Sequence, residues 1–138
     1  MIETKTAKQA MSGSLVTLHP EMDVLQALRI LVEERISGAP VIDQIGNLVG
    51  MLTERDCMRI ALDAGYHSED GGRVERVMTR KVETADAHAP ITEIAERFAN
   101  RRFRRMPVVE QGRVIGVISR RDVLRCLEAA WQPDRQRI

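Results

Sequence analysis

Two stretches of this 138-residue chain carry nearly the same pattern, "GMLTERDCMRI" at 50–60 and "GVISRRDVLRC" at 116–126. Each orders a glycine, two apolar residues, a hydroxyl residue, two spacers and an aspartate. Internal repetition constrains the fold strongly, because each copy must form the same unit and neither need bury a core alone. A shift of 67 residues places Met11 on Met78, Thr17 on Thr84 and Pro40 on Pro107. One residue then drops out between Asp43 and Gly46, and the register becomes 66. Gly46 meets Gly112, Gly50 meets Gly116, Asp56 meets Asp122 and Arg59 meets Arg125. A hairpin turn tolerates such a deletion best.

Apolar spacing supports the same division. Val24, Ala27, Leu28, Leu31 and Val32 predict a helix with one apolar face, and Ile91, Ile94, Ala95, Phe98 and Ala99 repeat it. Pro90 stands at the expected start of the second of these helices, where no backbone donor is needed. The runs "APVI" and "MPVV" follow, then the turns "DQIGN" and "EQGR", then the strands "LVGMLT" and "VIGVIS". A closing helix is expected from Glu54 in one copy and from Arg120 in the other. Each copy thus reads strand, helix, strand, strand, helix (β-α-β-β-α), and the fold class is α+β. A sheet this small cannot bury both faces by itself, so two repeats are expected to pack as one module. The expected boundaries are 8–63 and 74–131, with a glycine-rich linker at 64–73 and a flexible tail at 132–138.

Composition narrows the function. The chain is 43% hydrophobic, enough for a core, and no apolar run approaches the roughly 20 residues of a membrane span. The start "MIETKTAKQAM" lacks the apolar centre of a secretory signal, so the expected location is cytoplasmic. Cys57 and Cys126 lie far apart and fall in apolar helical patterns, which suits buried thiols rather than metal ligands. His19, His67 and His88 do not cluster, and no nucleophile elbow, zinc motif or Walker loop is present. No metal site and no catalytic residue are therefore expected. Residues 1–70 carry a net −5 and residues 71–138 a net +6, an asymmetry that suits an anionic partner for the second half. Aromatic residues are only 3%, too few for the stacking platforms of single-strand binders.

The repeated box has two readings. Thr53-x-x-Asp56 and Ser119-x-x-Asp122 both fit a helix capping box, in which the hydroxyl takes a backbone N–H and the acid reaches back. The same geometry suits a nucleotide: an ionised carboxylate has two acceptor oxygens for a ribose diol, and a helix start favours phosphate. Spacing alone does not separate a cap from a binding site.

The ordered set of motifs, present twice over residues 8–131, resembles a pair of CBS domains, the regulatory repeats named after cystathionine β-synthase. The matching pieces are "MSGSLVTLHPEMDVLQALRILVEERISGAPVIDQIGNLVGMLTERD" and "MTRKVETADAHAPITEIAERFANRRFRRMPVVEQGRVIGVISRRD". The resemblance implies two pseudo-twofold-related repeats with two adenosyl-binding clefts, each drawing on both repeats. The first cleft would use Thr17, Met22, Ile36, Ser37 and Gly38 with Ser119, Arg121 and Asp122. The second would use Thr84, Ala89, Phe103, Arg104 and Arg105 with Thr53, Arg55 and Asp56. The ligand class it implies is AMP, ADP or ATP, with NAD or S-adenosylmethionine as relatives of the same chemistry; no cofactor is required.

The two copies are not equivalent at this point: "RRFRRMP" in the second replaces "ERISGAP" in the first. Arg101, Arg102, Arg104 and Arg105 can reach phosphate oxygens with forked hydrogen bonds, or can simply guard a solvated helix end and strand edge. The expected function is a free-standing, non-catalytic sensor that signals to a separate effector protein. A homodimer is expected because Met58, Ile60, Leu62, Leu124, Leu127 and Ala130 put apolar groups on more than one side of the closing helices. The alternatives are a nucleic-acid-binding module built on the basic second repeat, and a dimerisation unit whose boxes only cap helices.

Overall fold

The computed structural model of the chain describes residues 5–11, 14–62 and 72–131. The chain divides into two compact units, Val16–Val82 and Met1–Leu15 with Glu83–Ile138. Residues 64–71 of the expected 64–73 linker and the expected tail at 132–138 lie outside the described residues.

In the unit Val16–Val82, α2 (Val24–Glu34) leads to β1 (Gly38–Ile42), β2 (Leu48–Thr53) and α3 (Glu54–Leu62). In the other unit, β3 (Ala85–Asp86), α5 (Ile91–Asn100), β4 (Arg105–Glu110), β5 (Arg113–Ser119) and α6 (Arg120–Ala130) follow the same order. The α+β class and the β-α-β-β-α order expected from the repeat are present. The opening strand of the first copy is reduced to a single parallel bridge, Leu18 to Val41, where the second copy pairs β3 with β4 at Ala85–Val108 and Asp86–Val109. β1–β2 and β4–β5 are antiparallel hairpins, each with an irregularity at the same place, Val41/Ile42 and Val108/Val109. The register difference between the copies falls in the hairpin turns. Gln111 (φ 52°) and Gly112 (φ 78°) make a two-residue turn, while the other hairpin takes one residue more and sets its own positive φ at Gly46. In that longer turn the backbone N–H of Asn47, foremost, holds the Asp43 carboxyl below its usual pKa.

Helix burial follows the predicted face, with one difference. Val24, Ala27 and Leu31 of α2 and Ile91, Ile94 and Phe98 of α5 are buried, but Val32 is 67% exposed and Ala99 is exposed too. Eight residues on, a 3.6-residue helix has turned past the centre of its apolar stripe, so these positions reach the rim. Pro90 caps α5 from just outside the helix instead of occupying its first turn.

Two short helices, α1 (Ala7–Ala10) and α4 (Val74–Val77), open the two sequence copies, and they exchange places. α1 opens the first sequence copy, yet Ala7 and Ala10 enter the core of the unit built on α5, β4, β5 and α6. α4 opens the second copy, and Val74 and Met78 join Leu18, Leu31, Val41 and Leu52 in the core of the other unit. The backbone bonds that dock them are equivalent. Ala7 N donates to Ala89 O (2.9 Å), Lys8 N to Ala87 O (2.9 Å), and Ile91 N to Lys5 O (2.8 Å). Val74 N to Met22 O (2.9 Å), Glu75 N to Pro20 O (2.9 Å) and Val24 N to Gly72 O (3.0 Å) repeat the set.

This exchange explains the glycine in the repeated box. A Cβ at Gly50 would lie 2.6 Å from Met78 Sδ and 2.9 Å from the Thr79 carbonyl oxygen, and a Cβ at Gly116 would overlap Met11 Sδ. Each mid-strand glycine is the seat of the methionine that follows an exchanged helix.

Candidate nucleotide-binding boxes

β2 and β5 deliver Thr53 and Ser119 to the starts of α3 and α6. Ser119 Oγ accepts from Asp122 N (3.1 Å), and Asp122 Oδ2 accepts from Ser119 N (2.9 Å). Thr53 Oγ1 accepts from Asp56 N (3.2 Å), and Asp56 Oδ2 accepts from Thr53 N (3.0 Å). Both boxes therefore cap their helices. Both acids are also buried, Asp56 at 8% and Asp122 at 2% exposure.

Around this common frame the partners differ. The Asp56 carboxylate also accepts from the Thr53 hydroxyl (3.1 Å) and the Thr79 hydroxyl (3.4 Å to Oδ1). Asp122 Oδ1 instead accepts from Arg125 Nη1 (3.2 Å). Among the described residues Arg59, the counterpart of Arg125, does not reach its box acid. One box is thus closed by hydroxyls and the other by a guanidinium.

The remaining site residues take up distinct positions. Gly38 faces Thr53 across the β1–β2 ladder, and Glu54 N donates to Ser37 O (2.9 Å). Arg105 faces Ser119 across β4–β5, and Arg120 N donates to Arg104 O (3.0 Å). Within each unit the loop after the long helix therefore adjoins that unit's own box. Ile36 and Phe103 are half-buried beside these loops, and Phe103 meets Phe98 edge to face with centroids 5.5 Å apart. Met22 and Ala89 are half-buried, each with its carbonyl taken by an exchanged helix. Thr17 is half-buried ahead of the Leu18 bridge, and the Thr84 carbonyl accepts from Arg97 Nη1 (2.8 Å). Arg55, Arg104 and Arg121 are exposed. Thr17, Met22, Ile36, Ser37, Gly38, Thr53, Arg55 and Asp56 lie in one unit; Thr84, Ala89, Phe103, Arg104, Arg105, Ser119, Arg121 and Asp122 lie in the other.

Thr79 is a partner of the Asp56 box that the sequence analysis missed. Its signal was present: a hydroxyl residue follows both aligned methionines, as Ser12 and as Thr79, although Ser12 lies outside the described residues. Cys57, next to Asp56, is buried, and desolvation foremost, then the Asp56 and Glu54 charges, push its thiol pKa above the ordinary value. Among the described residues no group of three or more His, Cys, Asp or Glu side chains gathers at metal-binding range, and no helix is long and apolar enough to cross a membrane.

The family model for the CBS domain matches this chain twice, over residues 7–63 and 74–129, one match in each repeat. The chain belongs to the CBS-domain family. A CBS domain-containing protein of Dictyostelium discoideum is 32% identical over 91% of this chain and 93% of its own length. Other relatives are longer: the chain spans 43% of an uncharacterised protein of Methanocaldococcus jannaschii and 22% of the L-aspartate semialdehyde sulfurtransferase of that organism, both 28% identical. Among solved structures, CBSX2 in complex with AMP matches at TM-score 0.79 and 29% identity, covering 90% of this chain and 96% of that one. The CBS domain pair of the protein MJ0100, solved with 5′-methylthioadenosine and S-adenosyl-L-methionine, matches at TM-score 0.77 and 26% identity, covering 91% and 98%. Both of these solved relatives are CBS structures holding an adenosyl compound, and this chain contains a pair of CBS domains.

Proposed function

We propose that this CBS pair is a non-catalytic sensor that binds an adenosine-containing ligand and passes the bound state to a separate effector protein. The observation that carries the reading is the buried carboxylate at the start of each closing helix, paired with a hydroxyl in both repeats. A cap alone needs one oxygen of that carboxylate; the second oxygen of each is available to a sugar diol once Thr79 or Arg125 gives way. The AMP and S-adenosylmethionine bound by the two solved relatives support this reading of the ligand class.

Two clefts are proposed, each taking its adenine-side residues from one repeat and its box from the other. Thr17, Met22, Ile36, Ser37 and Gly38 work with Ser119, Arg121 and Asp122. Thr84, Ala89, Phe103, Arg104 and Arg105 work with Thr53, Arg55 and Asp56. Self-association belongs to the same proposal, because Met58 (60%), Leu62 (86%) and Leu124 (61%) expose large apolar side chains on the closing helices.

A thermal-shift panel of AMP, ADP, ATP, NAD and S-adenosylmethionine tests the binding claim. Ligand at 100 times its dissociation constant adds about 2.7 kcal/mol to native stability, which raises the melting temperature measurably. At least one compound should shift the transition without being consumed. No shift from any of them at millimolar concentration contradicts the reading.

A further inference from the structure

We infer that Thr79, delivered by the exchanged helix α4, is a positioning residue that sets the ligand affinity of the Asp56 box. Its hydroxyl competes with a ligand's sugar diol for the buried carboxylate, so it holds affinity down. This inference rests on the adenosyl reading above and adds what tunes one of the two boxes.

Asp56 has fewer open acceptor places than a bound diol needs. A carboxylate offers about four, shared between its two oxygens. Oδ2 of Asp56 accepts from the Thr53 amide (3.0 Å) and the Thr53 hydroxyl (3.1 Å), which fills it. Both hydroxyls of a diol must then go to Oδ1. Thr79 Oγ1 already donates there at 3.4 Å, with a second approach to Oδ2 at 3.5 Å. One donor is too many. Among the described residues Asp122 carries fewer, Ser119 N on Oδ2 and Arg125 Nη1 on Oδ1. There a diol completes the set once Arg125 shifts on Oδ1.

Of the donors on Asp56, Thr79 is the one that yields. Its bonds are the longest in the box, near the limit of useful hydrogen-bond geometry. Its backbone does not depend on them, since Thr79 N donates to Met51 O and Met51 N to Thr79 O, both at 2.9 Å. Val74 and Met78, buried in the core of the same unit, hold the segment as well. The Thr79 hydroxyl is therefore not needed to dock α4. Thr79 is exposed, so a hydroxyl freed from Asp56 turns to water. In the empty box that hydroxyl satisfies a buried oxygen. A ligand that takes the same oxygen exchanges one hydrogen bond for another, and its net gain on binding is smaller by the bond it displaces.

Amide NMR titration of the full chain with AMP and with 5′-methylthioadenosine tests this, because the Asp56 and Asp122 signals read the two boxes separately. Thr79→Ala removes the competing hydroxyl and Thr79→Ser keeps it. Thr79→Ala should tighten binding at the Asp56 box by about threefold or more, the net worth of one hydrogen bond. Thr79→Ser should stay within about twofold of the unaltered chain, as should the Asp122 box in both variants. The 2′,3′-dideoxy form of AMP, which lacks the diol, should gain nothing from Thr79→Ala. A side chain that merely braces Asp56 gives the opposite sign, weaker binding in Thr79→Ala. Weaker or unchanged binding at the Asp56 box of that variant, with the unaltered chain still binding, overturns the inference and leaves the adenosyl reading standing. Equal tightening of AMP and its dideoxy form overturns it too. Silence from both ligands in every chain at millimolar concentration refutes the adenosyl reading and the inference with it.

Discussion

The Thr53–Asp56 and Ser119–Asp122 boxes share backbone, capping bonds and burial, yet hydroxyls surround one acid and a guanidinium the other. The same holds a few residues away, where Ser37 and Glu54 stand in the places of Arg104 and Arg120. Duplication has preserved what the backbone needs, namely the mid-strand glycine, the capping hydroxyl, the buried acid and the exchanged helix. It has left free what points outward from that frame. Part of the charge difference between the two chain halves therefore lies at one box and the loop beside it.

The largest effects should come from the two equivalent core positions Phe98 and Leu31. Phe98→Ala should cost about 3–5 kcal/mol and Leu31→Ala about 2–5 kcal/mol in urea unfolding, through lost burial and the cavity left behind. Only Phe98→Ala should also speed amide exchange around Arg104, because Phe103 loses its ring partner. Equal exchange in both variants would show that the aromatic pair does not fix the loop.

The exchanged methionines give the next largest difference. Gly50→Ala should cost about 1–3 kcal/mol, since the new methyl meets the Thr79 carbonyl as well as Met78. Gly116→Ala meets only the Met11 side chain, which can move aside, so its cost should be smaller. Thermal or urea midpoints of the two variants compare them directly; a costlier Gly116→Ala would argue against this account.

Much of this architecture was legible in the sequence because a duplication doubles every signal. The closing helices at Glu54 and Arg120 and the strand Leu48–Thr53 follow from glycine spacing and apolar runs alone. The exchange of α1 and α4 was not legible. Four-residue helices have too little periodicity to register, and nothing local in "AKQA" says which core receives its alanines. Thr79 was missed for the same reason: its contact with Asp56 spans 23 residues and depends on where α4 docks. The boxes themselves were visible, but their capping and binding roles use the same residue types at the same spacing.

Smaller effects separate those roles. Thr53→Ala and Ser119→Ala should each cost about 1 kcal/mol through the lost cap. Thr53→Ala should cost more of the two, because its hydroxyl also donates to Asp56. Chemical denaturation of both variants checks the order.

The pH response of Cys57 should be smaller still. Its folded-state pKa is raised, so its contribution to stability is complete below the unfolded thiol pKa and is lost as pH climbs through the folded value. Stability should therefore decline on the alkaline side, and Cys57→Ser should flatten part of that decline. An identical alkaline limb in the variant would contradict the assignment.

Each buried acid is proposed to hold ligand as well as to cap a helix. Calorimetric titration of the unaltered chain, Asp56→Asn and Asp122→Asn with the ligand identified in the thermal panel tests that proposal most directly. Asn keeps the shape but loses the charge and one acceptor oxygen. Each substitution should cost only about 0.5–1 kcal/mol of stability. Each should weaken binding at its own cleft by about tenfold or more, the other cleft remaining intact. Undiminished affinity in both variants would contradict the claim and leave Asp56 and Asp122 as helix caps alone.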